Sequence, residues 1–155
     1  MGARCDASRR LGERVNCSQL YVGVDKQLDE VRTYDFSLSL VPSASPEARV
    51  VRSVLGSQYV YYLAPHTGCG CGWDVLDIET PGDDQSKASC DALGRFLGTL
   101  ERTRRGSKLY SVCIESLGAS PRSEVSIAAE EFMRHLQGYR VSFASKGARV
   151  YVLGV

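Results

Sequence analysis

No apolar run in this 155-residue sequence is long enough to cross a membrane. The longest aromatic-aliphatic stretch, Tyr59 to Ala64, is far short of the roughly 20 residues a spanning helix needs. The opening residues, Met1 to Asn16, lack the apolar core of a secretory signal. Met1-Gly2 suggests myristoylation, but Asp6 stands where that motif wants Ser or Thr. Neither sign of charge is in excess, with 19 basic against 18 acidic residues and a net charge of +1. That balance argues against a nucleic-acid partner or a charged membrane surface. Also missing are a Ser–His–Asp signature, a zincin helix, a P-loop and paired Cys-x-x-Cys spacing. Gly68-x-Gly70-x-Gly72 lacks the spacing and the immediate helix of a dinucleotide fingerprint. There is no internal repeat or low-complexity segment.

What remains is ordinary for a soluble globular domain: 43% hydrophobic and 24% charged residues. A chain of this length buries roughly 70% of the surface its unfolded form exposes, so it needs no disulfide or metal to make a core. The expectation is a cytoplasmic protein with one domain over residues 16–155. Residues 1–15 read as a mobile basic leader, with Arg4, Arg9, Arg10 and Arg14 against Asp6 and Glu13. Six cysteines in a reducing compartment are thiols, metal ligands or catalytic groups before they are disulfides.

The hydrophobic pattern sets the order of elements. Residues 18–24 read as a strand, and Phe36, Leu38 and Leu40 alternate with Ser37 and Ser39 in a second. Pro46 to Leu55 reads as a short helix capped by Ser45 and stopped by Gly56. Gln58 to Ala64 is apolar on both faces and belongs in the middle of a sheet. A long glycine-rich loop, 65–83, precedes a helix from about Asp84 to Arg105 with a stripe of Leu93, Phe96, Leu97 and Leu100. Lys108 to Glu115 is the next strand, and residues 116–124 read as turn. Ala128 to Leu136 forms a helix ended by Gly138. Arg140–Phe143 and Arg149–Leu153 flank a hairpin turn. The stretch 58–115 is long enough for a parallel crossover. The fold class is therefore α+β: a single mixed β-sheet with two to three helices packed mainly on one face and a C-terminal β-hairpin.

One segment carries chemistry. His66-Thr-Gly-Cys69-Gly-Cys71-Gly-Trp73 sets two thiols and an imidazole among three glycines. Glycine removes side chains that would crowd an ion and leaves backbone N–H groups free to approach thiolate sulfurs. Three N/S donors want a fourth for a tetrahedral site. Cys17, just before the first strand, supplies it if that strand lies antiparallel to 58–64. A parallel pairing would leave it about 20 Å away. The lead reading is thus a metal site of Cys17, His66, Cys69 and Cys71. Zinc comes first for such a mixed N/S set, with iron or copper next. A second reading is a thiol-based redox protein using Cys69 and Cys71, with His66 lowering a thiol pKa. A Cys69–Cys71 disulfide would close a strained, easily reduced ring. A third is a protein-interaction module presenting the loop and its acidic flank of Asp74, Asp77, Glu79, Asp83 and Asp84. No catalytic residue is assigned, and the balance leans away from an enzyme.

The other polar and sulfur groups have plainer readings. Cys90 falls on the helix stripe with Leu93 and Leu97, a core position. Cys113 alternates with Leu109 and Ser111 as strand packing, or reaches the cysteine-rich loop. Cys5 sits on the leader, and His135 lies on an exposed helix face. Trp73 closes the loop over the sheet or stacks on a ligand. The Arg-rich end at 102–105 complements a helix C-terminus.

The sequence resembles a family of small, uncharacterised bacterial proteins. The matching features are Cys17-x-x-Leu20-Tyr-Val22 and Tyr61-Tyr-Leu-x-x-His66-x-Gly-Cys-Gly-Cys-Gly72, followed by an aromatic, here Trp73. Most of residues 17–155 fit its order of elements, and the leader 1–15 departs from it. The resemblance implies a bacterial cytosolic protein and supports taking Cys17 together with the loop. It carries over no catalytic residue.

Overall fold

Successive side chains of a strand point to opposite faces, so a continuous apolar run lets one sheet carry a core on both. The computed structural model describes residues 18–33, 35–66, 84–113, 117–119, 121, 124–138 and 148–154. Seven strands occur among them: β1 Ser18–Val24, β2 Val31–Arg32, β3 Phe36–Leu40, β4 Tyr59–Pro65, β5 Lys108–Cys113, β6 Glu124–Ile127 and β7 Arg149–Leu153. They form one sheet in the order β2-β3-β4-β1-β5-β7-β6. Every pairing is antiparallel except β6 with β7, so the sheet is mixed. Three helices also occur among the described residues: α1 Pro46–Leu55, α2 Asp84–Thr103 and α3 Ala129–Gly138. The α+β class is as expected.

β1 is central. It pairs with β4 on one side, Leu20 opposite Leu63, and with β5 on the other, Ser18 opposite Cys113. Since β4 and β5 both run against β1, they are parallel to each other, and α2 lies in the crossover between them.

The even positions of β1, Leu20, Val22 and Val24, point to one face. There they meet Phe36, Leu38, Tyr61, Leu63, Leu109, Ile127 and Leu153 beneath α2 and α3. Leu93, Leu97 and Leu100 of α2 fill that core with Phe132 and Leu136 of α3. Phe132 packs edge-on against Tyr151 with ring centroids 5.3 Å apart, the favoured quadrupolar geometry. Tyr21, between Leu20 and Val22 in β1, points to the other face, where it packs with Val60, Tyr110, Val112 and Val150 against Ala48, Val51 and Leu55 of α1. Of these helices, α2 and α3 therefore share a face, and α1 covers the other.

α1 is bounded as its sequence predicts. Ser45 Oγ accepts from Ala48 N–H at 3.1 Å, and Pro46 opens the helix without wasting a donor. Gly56 turns left-handed at φ 63° and returns its N–H to Arg52 O at 2.7 Å. The end of α1 presses close to β1. A Cβ at Gly23 would stand 2.5 Å from Ser57 Oγ and 2.9 Å from Leu55 Cδ1, so only glycine fits there.

Three tyrosines with no exposed surface, Tyr21, Tyr61 and Tyr110, bring polar tips into the core, and each is bonded. The Tyr61 hydroxyl accepts from Leu28 N–H at 2.7 Å and donates to Leu28 O at 2.8 Å, tying down the turn after β1. Tyr110 does the same for the 117–119 turn, accepting from Gly118 N–H and donating to Ala119 O. Tyr21 Oη lies 2.5 Å from Glu47 Oε1 on α1 and 2.6 Å from Gln19 Oε1. Its one proton can serve one acceptor at a time, and the carboxylate is the stronger. Burial first, then that bond and the charge of Glu47, hold the Tyr21 phenol far above its ordinary pKa.

Several boundaries differ from expectation. α2 ends at Thr103, two residues before the expected Arg105, because Arg104 N–H closes the last turn on Leu100 O and Gly106 then turns at φ 83°. β2 and β6 were not anticipated. β2 has only two residues, and β6 is an edge strand whose Glu124, Val125 and Ser126 are exposed, so neither has an apolar period to read. β4 runs one residue later than expected, from Tyr59 to Pro65. The leader 1–15 and the first strand of the expected C-terminal hairpin, 140–143, lie outside the described residues.

Candidate functional site

The sheet topology gathers several chemistry-bearing positions at one end. β1 starts there with Ser18, β4 ends there with Pro65 and hands on to His66, and β5 ends there with Cys113. The antiparallel pairing of β1 with β4, on which the four-ligand reading depended, is present. Of the four candidate ligands, His66 is described. Cys17, Cys69 and Cys71 lie outside the described residues, as does Trp73 with most of the 65–83 loop. Among the described residues, no group of three or more His, Cys, Asp or Glu side chains could hold a metal ion.

His66 is held from α2. Its backbone N–H donates to Ser89 Oγ at 3.1 Å, and its ring Nδ1 lies 2.9 Å from the same oxygen. Ser89 Oγ in turn donates to the carbonyl of Asp35, just before β3, at 2.7 Å. Ser89 is fully buried, whereas His66 is half-buried. One hydroxyl thus joins three elements: the end of β4, the second turn of α2 and the entry to β3. The arrangement can present one ring nitrogen at the sheet end while the other is engaged from behind. Chemically, that suits a metal ligand or a proton acceptor.

Ser89 was not singled out from the sequence. The signal was nonetheless there. Ser86 and Ser89 continue the buried stripe of Leu93, Leu97 and Leu100, and a polar residue on an apolar helix face needs a bonded partner.

Two of the remaining sequence candidates, Cys90 and His135, take their plain readings. Cys90 is 3% exposed in the α2–sheet core. His135 is exposed on α3, its Nε2 4.0 Å from Glu131 Oε1. A cavity of about 520 Å³ lies at the opposite end of the sheet, where Lys26, Arg104 and Arg105 meet Asp25. Arg104 and Arg105 follow the C-terminus of α2, where positive charge suits the helix dipole, and Arg104 Nη1 donates to Lys26 O at 2.9 Å, tying the helix end to the segment after β1.

Comparison with protein-family models, curated proteins and solved structures finds no match for this chain. Among the described residues, no helix is long and apolar enough to cross a membrane.

Proposed function

We propose that this protein binds a transition metal, zinc first, through Cys17, His66, Cys69 and Cys71. The observation that carries the reading is the antiparallel register of β1 on β4, with Leu20 opposite Leu63. In the chain, Cys17 directly precedes β1 and His66 directly follows β4, so this register favours a shared centre that a parallel pairing would forbid. Cys69 and Cys71 follow His66 by three and five residues, a spacing that can return both thiols to one ion. The donor set suits the metal: thiolates and a neutral imidazole favour zinc over hard cations. Cys113, opposite Ser18 in the β1–β5 register, is a fifth candidate on the same sheet end. Four protein ligands make a structural centre, and three with an open position make one fit for transfer or catalysis. A cytoplasmic setting, which keeps thiols reduced, completes the proposal.

Elemental analysis of protein purified without added metal tests it. The expected result is close to one equivalent of zinc, lost when Cys69 and Cys71 are both replaced by Ser. X-ray absorption should give Zn–S near 2.3 Å and Zn–N near 2.0–2.1 Å. Less than about 0.2 equivalents of any transition metal, a margin for incidental occupancy, would sink the proposal.

A further inference from the structure

We propose that Ser89 is the positioning residue of His66, fixing its ring as the Nδ1–H tautomer so that Nε2 carries the lone pair. The inference follows from counting protons. A serine hydroxyl has one proton and two lone pairs. The Asp35 carbonyl can only accept, so at 2.7 Å it takes the Ser89 proton. The His66 backbone N–H can only donate, so at 3.1 Å it takes one lone pair. What faces Nδ1 at 2.9 Å is then the second lone pair, and Nδ1 must bring the hydrogen. Neutral His66 is left with its acceptor at Nε2, the reverse of the form that dominates a histidine in water.

Ser89 is placed for this task. A serine inside a helix ordinarily sends its proton back to a carbonyl of its own preceding turn. Here the proton goes to a residue 54 positions away. The hydroxyl is fully buried, so water does not compete for it. Metal-bound histidines characteristically donate their other ring N–H to a carboxylate, a backbone carbonyl or water, which fixes the tautomer and aims the ring, and Ser89 Oγ stands in that place here. This step rests on the metal proposal only for what Nε2 receives; the tautomer itself does not.

The test is long-range 15N–1H NMR of the His66 ring in metal-free protein at a pH where imidazole is neutral. The expected spectrum has a protonated Nδ1 and a lone-pair Nε2. Ser89→Ala should shift the ring toward the Nε2–H form, and Ser89→Thr, which keeps the hydroxyl, should restore the native pattern. Zinc affinity, measured by competition with a chromophoric chelator, should fall 10–100-fold in Ser89→Ala and recover in Ser89→Thr. A native ring protonated at Nε2 overturns the inference, and so does an Ala variant that keeps the native tautomer. If either variant fails to fold, the native spectrum alone decides. Absence of metal with the Nδ1–H form intact removes the metal reading and leaves the tautomer assignment standing.

Discussion

Replacing Tyr21 by Phe removes one oxygen from a fully buried ring and leaves its shape, its neighbours Tyr62 and Tyr110, and the α1 core in place. The hydroxyl lost is the one 2.5 Å from Glu47 Oε1. Hydrogen bonds to charged groups contribute about 1.5–3 kcal/mol, so Tyr21→Phe should cost about 2 kcal/mol near neutral pH. For a domain of this size that is a drop in Tm of roughly 4–8 °C. The pH dependence is sharper still. The folded pKa of Tyr21 is raised, so its stabilisation is complete below the unfolded value of about 10 and is lost as pH rises past it. By pH 11 the unfolded phenol has ionised and the native one has not, which removes about 1.4 kcal/mol from the native protein and nothing from the Phe variant. Other titrating groups cancel in the difference. Urea unfolding of both proteins at pH 8 and pH 11 should therefore show the gap narrowing from about 2 to about 0.6 kcal/mol. A gap below about 0.5 kcal/mol at pH 8, or one that stays constant to pH 11, would refute the reasoning.

Three further outcomes are expected. Gly23→Ala should destabilise by about 1–3 kcal/mol, since the new methyl collides with Ser57 and Leu55, and thermal unfolding measures the loss. Pairing it with Ser57→Gly should recover part of that loss. Ser45→Ala should cost about 1 kcal/mol in chemical denaturation by leaving Ala48 N–H without its cap. Leu97→Ala, at a fully buried site of α2 over the sheet, should cost about 2–5 kcal/mol, and a calorimetric Tm unchanged within a degree would contradict the assigned core.

The elements that could be read from sequence were those whose local signal agrees with their place in the fold. α1 has a cap, a first-turn proline and a terminal glycine, and it appears at the expected residues. β3 alternates Phe36, Leu38 and Leu40, and β4 is apolar on both faces because it is interior. β2 and β6 were not legible because pairing, not burial, makes them strands: they add hydrogen bonds at the two sheet edges with few buried side chains. The pairing of β1 with β4 was legible only as a condition set by the proposed ligands. Ser89 was missed for a different reason. Its partners, His66 and Asp35, lie 23 and 54 positions away, and no local pattern encodes a contact at that separation.

β1 holds the middle of the sheet, yet its two neighbours, β4 and β5, come much later in the chain. Lys108 follows Val24 by 84 positions, which at about 5–20 residues per second is roughly 4–17 s of synthesis. For that interval the nascent chain carries an apolar ribbon, Leu20 to Val24, with at least one hydrogen-bonding edge open. Vectorial synthesis thus leaves the keystone strand waiting for its partners. A stretch of this kind is where a ribosome-bound holding factor would have most to protect, and where a crowded polysome would most readily stick to itself.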